Sequence, residues 1–440
     1  MRRLALLMSM SRLLRSGRSL FCKPRSPLRT FKEGYKDVLT SSELFQEETL
    51  PHYKAENLYP VRPGQVFRDQ YQILGKLGYG GSSTVWFARD LVEHRYVAVK
   101  VCGSRRSRES DVTEGELAAY SRLRSLRLPS PSQGLQIGAT RIRKLHDHFE
   151  MRGPHGRHSC LVYEPLHMSL GQFQRMLANT ILSEPMLKGL LRIVFQALDF
   201  LHRGANIIHT DVKPGNIMLD IRDETLLEAM EKDFLANAGP MKTLYDRTIY
   251  ASRHLGHPRS NAWGMPVLCD LGEAEIGEGQ DPASFQPAPY RAPEVQLEMP
   301  WSYPVDIWMV GCMVWNLFYD RFLFEDDPSE DYMSATYHMA QTHAYMGPPP
   351  QDFLQKSQLS EICWDKDGKW VNTVVSLPDI SLEAAETRLE GENKRLFLDF
   401  IRSMLQWRPE DRKTAEQLLE DPWLNSQVEY AQDLQSGEDW

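Results

Sequence analysis

Three short apolar runs, "YQILGKLG" from residue 71, "STVWFARD" from 83 and "YVAVKVC" from 96, follow one another with only Gly or charged turns between them. They are rich in Val, Tyr, Trp and Thr, the residues that suit a pleated, half-buried surface, and they predict consecutive antiparallel strands. "KLHDHFE" and "HSCLVYEPL" read as two more strands. Between the two groups lies "VTEGELAAYSRLRSL", with helical spacing, acids early and Arg late, which suits a helix dipole. After Leu170 the balance shifts to helix. "EPMLKGLLRIVFQALDFLHRG" opens with Pro at an early helical position and is expected to end at its Gly. The chain is therefore expected to be an α+β protein of two lobes. A small β-rich lobe and a larger helical one meet near Glu164–Leu166.

Bulk properties fit that size. A chain of 440 residues, 42% hydrophobic and 25% charged, has enough apolar material for a large core. No two of Cys22, Cys102, Cys160, Cys269, Cys312 and Cys363 have a metal-ligand spacing, so reduced, mostly buried thiols are expected. The net charge of −8 is unevenly spread: residues 1–32 carry nine Lys and Arg and no acid, leaving −17 on the remainder. Such a body repels nucleic acid and accepts basic partners. No apolar run reaches the ~20 residues of a membrane helix, and "IWMVGCMVWNLF" from residue 307 reads as a buried core helix. Residues 1–32 fit two descriptions, a mitochondrial transit segment or a loose basic tail. The expected localisation is cytoplasmic or nuclear, with mitochondrial as the alternative.

Four motifs carry chemistry. In "LGYGGSSTVW", Leu77 to Trp86, Gly78, Gly80 and Gly81 form a turn between strands whose bare backbone can lie over phosphates. A glycine turn alone is weak evidence, and no Walker A sequence follows. In "VAVK", Lys100 ends an apolar strand and is costly to bury unpaired. The next helix offers Glu114 and Glu116, and Glu116 is the preferred partner. In "IIHTDVKPGNIML", Asp211, Lys213 and Asn216 share a tight loop between two apolar strands. Asp211 can accept a hydroxyl proton, Lys213 can neutralise a phosphate, and Asn216 can ligate Mg²⁺. In "PVLCDLGEA", a strand delivers Asp270 into a Leu-Gly turn as a second metal ligand.

Taken in order, these motifs resemble the eukaryotic protein kinases. The resemblance runs from about Gln70 to Leu424 and includes Ala292–Glu294 ("APE"), Asp306–Trp308 ("DIW") and Arg412. It implies that Arg412 pairs with Glu294 and that Asp306 braces the catalytic loop. It implies ATP and Mg²⁺ as cofactors, with nucleotide contacts from Leu77, Gly78, Tyr79, Gly80, Gly81, Ser82, Ser83, Val85, Ala98, Lys100, Glu116, Glu164 and Leu166. It implies Asp211, Lys213 and Lys100 as catalytic, Asn216 and Asp270 as metal ligands, and protein serine or threonine as acceptor. The implied layout is a basic tail (1–32), a lead-in (33–69), a smaller lobe with hinge (70–166), a larger lobe (167–425) with an insert at about 221–265, and a C-terminal tail (426–440). A monomer without nucleic acid or membrane partners is expected.

Thr210 stands before the acid where most protein kinases carry Arg. Thr cannot pair with an activation-segment phosphate as a cation does. With "LGYGGSSTVW" and "DLG", this resembles the SR protein kinases, in a fungal-type branch, whose substrates are Arg/Ser-rich splicing factors. Between Asp270 and Glu294 the hydroxyl residues are Ser284 and Tyr290. Three features depart from the pattern: Gly215 in place of Glu, the long insert, and "QPAPYR" before APE. A pseudokinase or scaffold is the alternative reading, but none of the catalytic positions is lost.

Overall fold

The computed structural model describes residues 24–426, apart from 32–35, 38–42, 52, 106–111, 128–132, 178, 238, 246, 260–261, 278–285 and 326–330. The strands are β1 Lys36–Asp37, β2 Val66–Phe67, β3 Tyr71–Gly80, β4 Ser83–Asp90, β5 Arg95–Arg105, β6 Leu145–Gly153, β7 Gly156–Tyr163, β8 Ile207–Ile208, β9 Ile217–Leu219, β10 Pro240–Thr243, β11 Thr248–Tyr250, β12 Pro266–Leu268 and β13 Glu275–Ile276. Among the described residues, the helices of seven or more residues are α1 Val112–Ser125, α2 Gln133–Ala139, α3 Leu170–Met176, α4 Glu184–Asp199, α5 Thr225–Ala236, α6 Pro304–Tyr319, α7 Asp331–Met346 and α8 Gly391–Met404. The chain divides into two units. Unit 1 takes the described residues of Met1–Ser104, His146–Pro165 and Thr225–Arg253, and unit 2 those of Arg105–Leu145, Leu166–Glu224 and His254–Trp440.

Unit 1 is built on a six-stranded sheet of order β2-β3-β4-β5-β7-β6. The five runs read from the sequence are β3 to β7. Alternation sorts their side chains: Trp86, Ala88, Val97, Val99 and Val101 enter one core with Ile73, Tyr71 and Val162. The registers Val85↔Lys100 and Phe87↔Ala98 set Val85, Phe87, Ala98 and Lys100 on the opposite face.

The insert, expected as a long connection of the larger lobe, contributes its residues Thr225–Arg253 to unit 1. Its helix is α5. Phe234 of α5 stacks on Phe87 (6.2 Å) and fills the space beside Gly75, where a Cβ would stand 1.9 Å from the ring. Buried Glu231 accepts from Arg29 Nε (2.9 Å) and Tyr96 Oη (2.7 Å), with Arg89 Nε at 3.4 Å. Burial alone would raise the Glu231 carboxyl, but its bonds from Arg29 and Tyr96, with the Arg89 charge, hold it below its ordinary value. The insert continues into the sheet β1-β10-β11. There buried Lys242 donates to Glu48 (2.7 Å), and buried Lys76 of β3 pairs with Glu47. The lead-in and the insert are thus ionic neighbours of the sheet. The chain segment 24–29 belongs to the same assembly, since Gln72 exchanges two 2.8 Å hydrogen bonds with the backbone of Arg29.

Unit 2 is helical. Pro185 lies in the first turn of α4, as expected. The far end differs from expectation: α4 passes into a π-turn, Phe200–Ala205, and stops at Asn206 in the left-handed region (φ 54°) rather than at Gly204. Asn is the residue other than Gly that tolerates this conformation best, and it closes helices in the same way. Helix α6 is buried from Val305 to Val314 on every face, as its all-round apolar sequence requires. No helix among the described residues is long and apolar enough to cross a membrane. Among the described residues Cys102, Cys160, Cys269, Cys312 and Cys363 are buried and form no disulfide, while Cys22 lies outside the described residues.

Where the insert leaves and rejoins unit 2, the chain forms a narrow neck. Asp220 N donates to the Met265 carbonyl (2.9 Å), and Met265 N donates to Asp220 Oδ1 (2.8 Å). A Cβ on Gly264 would stand 1.8 Å from the Asp220 carbonyl oxygen, so only glycine fits there.

Candidate active site

Each unit carries part of the expected constellation. In unit 1, β3 and β4 form a hairpin with the pair Gly80↔Ser83 at its tip. A Cβ on Gly78, Gly80 or Gly81 would meet nothing within 4 Å, so packing does not require these glycines. Their absent side chains let a ligand approach the backbone of the turn closely. Leu77, Tyr79 and Val85 are half-buried, Ser82 is exposed and Ser83 is buried. Lys100 is half-buried, two residues beyond buried Ala98 and on the same face. Glu164 is half-buried after β7.

In unit 2, Leu166 packs with Val267, Cys269 and Met218. The antiparallel pair of β9 and β12 explains how two separate motifs meet. Ile217↔Leu268 is its last register pair, and Cys269 N donates to the Asn216 carbonyl (2.8 Å). Asn216 and Asp270 therefore leave the same end of one two-stranded ribbon. Glu116 is buried in α1, which belongs to unit 2.

The catalytic loop closes on itself. Asn216 Nδ2 donates to the Asp211 carbonyl (2.9 Å) and to Asp211 Oδ2 (2.6 Å). Lys213 Nζ reaches the same Oδ2 at 2.8 Å. Asp211 Oδ1 is buried and has no hydrogen-bond partner, which marks it as the oxygen available to a substrate hydroxyl. With its Nδ2 committed to Asp211, Asn216 can turn its amide oxygen to a cation. Together with the exposed Asp270 this gives two hard oxygen donors, and the donor set fits Mg²⁺. Such an ion takes its other ligands from phosphates and water. Among the described residues no group of three or more His, Cys, Asp or Glu forms an all-protein metal cage.

Two residues of the site have strained backbones. Thr210 has φ 64° and Asp270 has φ 63°. A β-branched residue in this region is a genuine outlier. Asp306 of α6 holds Thr210: its Oδ1 accepts from Thr210 N (2.7 Å), its Oδ2 from His209 N (2.8 Å). The Thr210 hydroxyl donates to the Glu273 carbonyl at 2.7 Å. Buried Arg412 donates to both oxygens of buried Glu294 at 2.7 Å, the pairing that the resemblance implies.

Sequence reasoning did not single out His209, although it lies two residues before Asp211. Its Nδ1 accepts from Asp211 N (3.3 Å) and its Nε2 donates to the Cys269 carbonyl (3.0 Å), with the tautomer assigned from these partners. Also missed were Gln286 and Arg291. Arg291 donates twice to the Gln286 carbonyl (3.1 and 2.8 Å), and Ala292 N donates to Gln286 Oε1 (3.0 Å). Tyr290 is buried, with its hydroxyl 3.4 Å from Asn316 Oδ1, whereas Ser284 lies outside the described residues.

The family model for the protein kinase domain matches residues 71–234 and 259–424. A serine/threonine protein kinase of Aspergillus fumigatus is 41% identical over 92% of this chain and 98% of its own length. Serine/threonine-protein kinase SRPK of Physarum polycephalum is 29% identical over 87% of this chain and 93% of its own. SRSF protein kinase 3 of Mus musculus is 24% identical over 91% and 94%. A crystal structure of a kinase domain shares the fold, with a TM-score of 0.60 over 83% of this chain and 98% of that one at 22% identity. On the family match and these relatives, the chain belongs to the protein kinase family, as a serine/threonine protein kinase with SR-protein-kinase-type relatives.

Proposed function

We propose that this kinase phosphorylates serine in Arg/Ser-rich proteins, and that it does so without a phosphate on its own activation segment. The observation that carries the reading is the Thr210 hydroxyl on the Glu273 carbonyl at 2.7 Å. The position that would otherwise hold a phosphate-gathering Arg instead ties the root of the activation segment through a neutral bond. Gln286, Arg291 and Ala292 brace the other end of that segment, again without added charge. The body's charge of −17 outside residues 1–32 suits a cationic substrate.

In this reading Mg·ATP supplies the electrophilic γ-phosphoryl group and the charge-neutralising cation. Asp211 Oδ1 orients the acceptor hydroxyl and takes its proton. Lys213 holds the other carboxylate oxygen and offers its charge to the phosphoryl being transferred. Asn216 and Asp270 hold the cation, and the turn at Gly78–Gly81 with Lys100 binds nucleotide phosphates, Glu116 being the acid assigned to Lys100. We place the chain in the cytoplasm or nucleus, with mitochondria as the alternative. A fluorescent fusion with and without residues 1–32 distinguishes them.

The test is transfer of labelled phosphate to an Arg-Ser repeat peptide beside a neutral Ser peptide, using protein made in bacteria, with Asp211→Asn as control. Transfer to the Arg-Ser peptide without an upstream kinase, lost in the variant, is the expected result. Transfer to the neutral peptide alone would discard the substrate assignment.

A further inference from the structure

The basic segment before Pro24 carries a short periodicity. Arg12, Arg15 and Arg18 recur every third residue, and Ser16 and Ser19 each follow an Arg directly and have a second Arg four positions earlier. We propose that Ser16 and Ser19 are phosphorylated by this chain's own active centre. The inference rests on the Arg-Ser reading above and gives that site a substrate within the sequence itself.

Three observations support it. Residues 1–32 hold no acid, so the segment is the electrostatic complement of a body carrying −17. The activation segment offers no such pattern, because Tyr290 is buried and Ser284 follows Ala283 with no Arg four positions earlier. A third Arg-Ser pair, Arg25-Ser26, supplies an internal contrast. Ser26 N donates to the Leu91 carbonyl (2.8 Å), and its hydroxyl lies 2.6 Å from His94 Nδ1. The next residues are fixed too, by Gln72 on the Arg29 backbone and Glu231 on its guanidinium. An extended substrate must free its backbone and hydroxyl to enter a cleft, and Ser26 has both engaged. The same dipeptide therefore occurs inside the anchor as well as before it, and its observed contacts set Ser26 apart from the two proposed substrates.

The step balances without a redox partner. The serine Oγ bonds to the γ-phosphorus of Mg·ATP, the bond from that phosphorus to the β–γ bridging oxygen breaks, ADP leaves, and the hydroxyl proton passes to Asp211. Each phosphate adds about −1.5 to −2 at neutral pH. Residues 1–23, with five Arg, one Lys and no acid, would then lose about half or more of their positive charge.

The 440-residue chain made in bacteria is stripped with phosphatase, incubated with Mg·ATP and mapped by peptide mass spectrometry. Phosphate is expected on Ser16 and Ser19, absent from Ser26, and absent throughout the Asp211→Asn chain. The Ser16→Ala/Ser19→Ala chain should lose that labelling and keep the parental rate on an added Arg-Ser peptide. If the chain modifies the added peptide but leaves Ser16 and Ser19 bare, or labels Ser26 in their place, this proposal is overturned and the substrate reading stands. If the neutral peptide is modified and neither the Arg-Ser peptide nor the tail is, both fall together.

Discussion

The insert of unit 1 and the catalytic loop of unit 2 are both irregular stretches held in one shape, but by different forces. The insert is held by side-chain charges from distant parts of the chain: Arg29 and Arg89 on Glu231, and Glu48 on Lys242. The catalytic loop is held by backbone groups. Asp306 takes the N–H groups of His209 and Thr210, and His209 bridges Asp211 N to the Cys269 carbonyl. Charge pairs of the first kind depend on both partners being present, since a lone buried charge is costly. Backbone bonds of the second kind survive most substitutions in the loop itself. The two Asp306 bonds therefore do not depend on which side chains stand at 209 and 210, whereas removing one arm of the insert network strands its charged partner.

The strongest challenge to that contrast is in unit 2 itself, where Arg412 and Glu294 form a fully buried ion pair. Glu294→Gln leaves the guanidinium of Arg412 buried without its charge partner, and a loss of about 3–5 kcal/mol is expected in denaturant unfolding. Gly75→Ala drives a methyl into the Phe234 ring and should cost about 1–3 kcal/mol. Its signature is faster hydrogen exchange in α5 with α6 still protected. If α6 loosens equally, the insert is not the separable element described here.

Glu231→Gln should cost about 1–3 kcal/mol, the penalty for leaving a buried hydrogen-bonding partner unsatisfied. Arg29 is 40% exposed at its side chain and reaches water when released, which keeps this loss below that of Glu294→Gln. The lowered Glu231 carboxyl also has a pH signature. Its contribution is present above the ordinary carboxylate range and lost as pH falls through the lower folded value. The Gln variant should lack that part of the acid slope. His338 gives a second slope of the same sign in α7, stacked 4.6 Å from Phe324 with burial holding its imidazole down to about 3. Between its unfolded value of about 6.5 and that value, only the unfolded chain binds the proton. Stability should therefore rise with pH across that window by at most about 1.4 kcal/mol per unit, and His338→Phe should flatten that slope. The smallest effect is expected from Thr210→Val, about 1 kcal/mol for one neutral hydrogen bond. Unchanged activity of that variant toward peptide would show that the Glu273 contact does not hold the activation segment.

What could be read from the sequence follows the same division. The strands of unit 1 and the loop "IIHTDVKPGNIML" were legible because their signals are local: alternation, Gly turns, and polar side chains within six residues of one another. The convergence of Asn216 and Asp270 was inferred from motif order, and its physical cause is the β9–β12 pairing. The place of the insert was not legible. Arg29 and Glu231 stand 202 residues apart, and no periodicity in either segment announces the other. The stop of α4 at Asn206 was missed because Gly204 supplied a stronger local signal than the tertiary one. The bracing by Gln286 and Arg291 was missed because a carbonyl acceptor leaves no mark on side-chain identity.

The neck at Asp220 and Gly264 has a consequence for variation in length. Because the chain is pinned to itself where it leaves the β9–β12 ribbon, the ribbon is insulated from whatever lies between those two residues. Doubling such a loop adds only about 0.6 kcal/mol of closure entropy. The neck is thus a socket in which a longer or shorter module could be seated without disturbing Asn216 and Asp270, provided position 264 remains glycine.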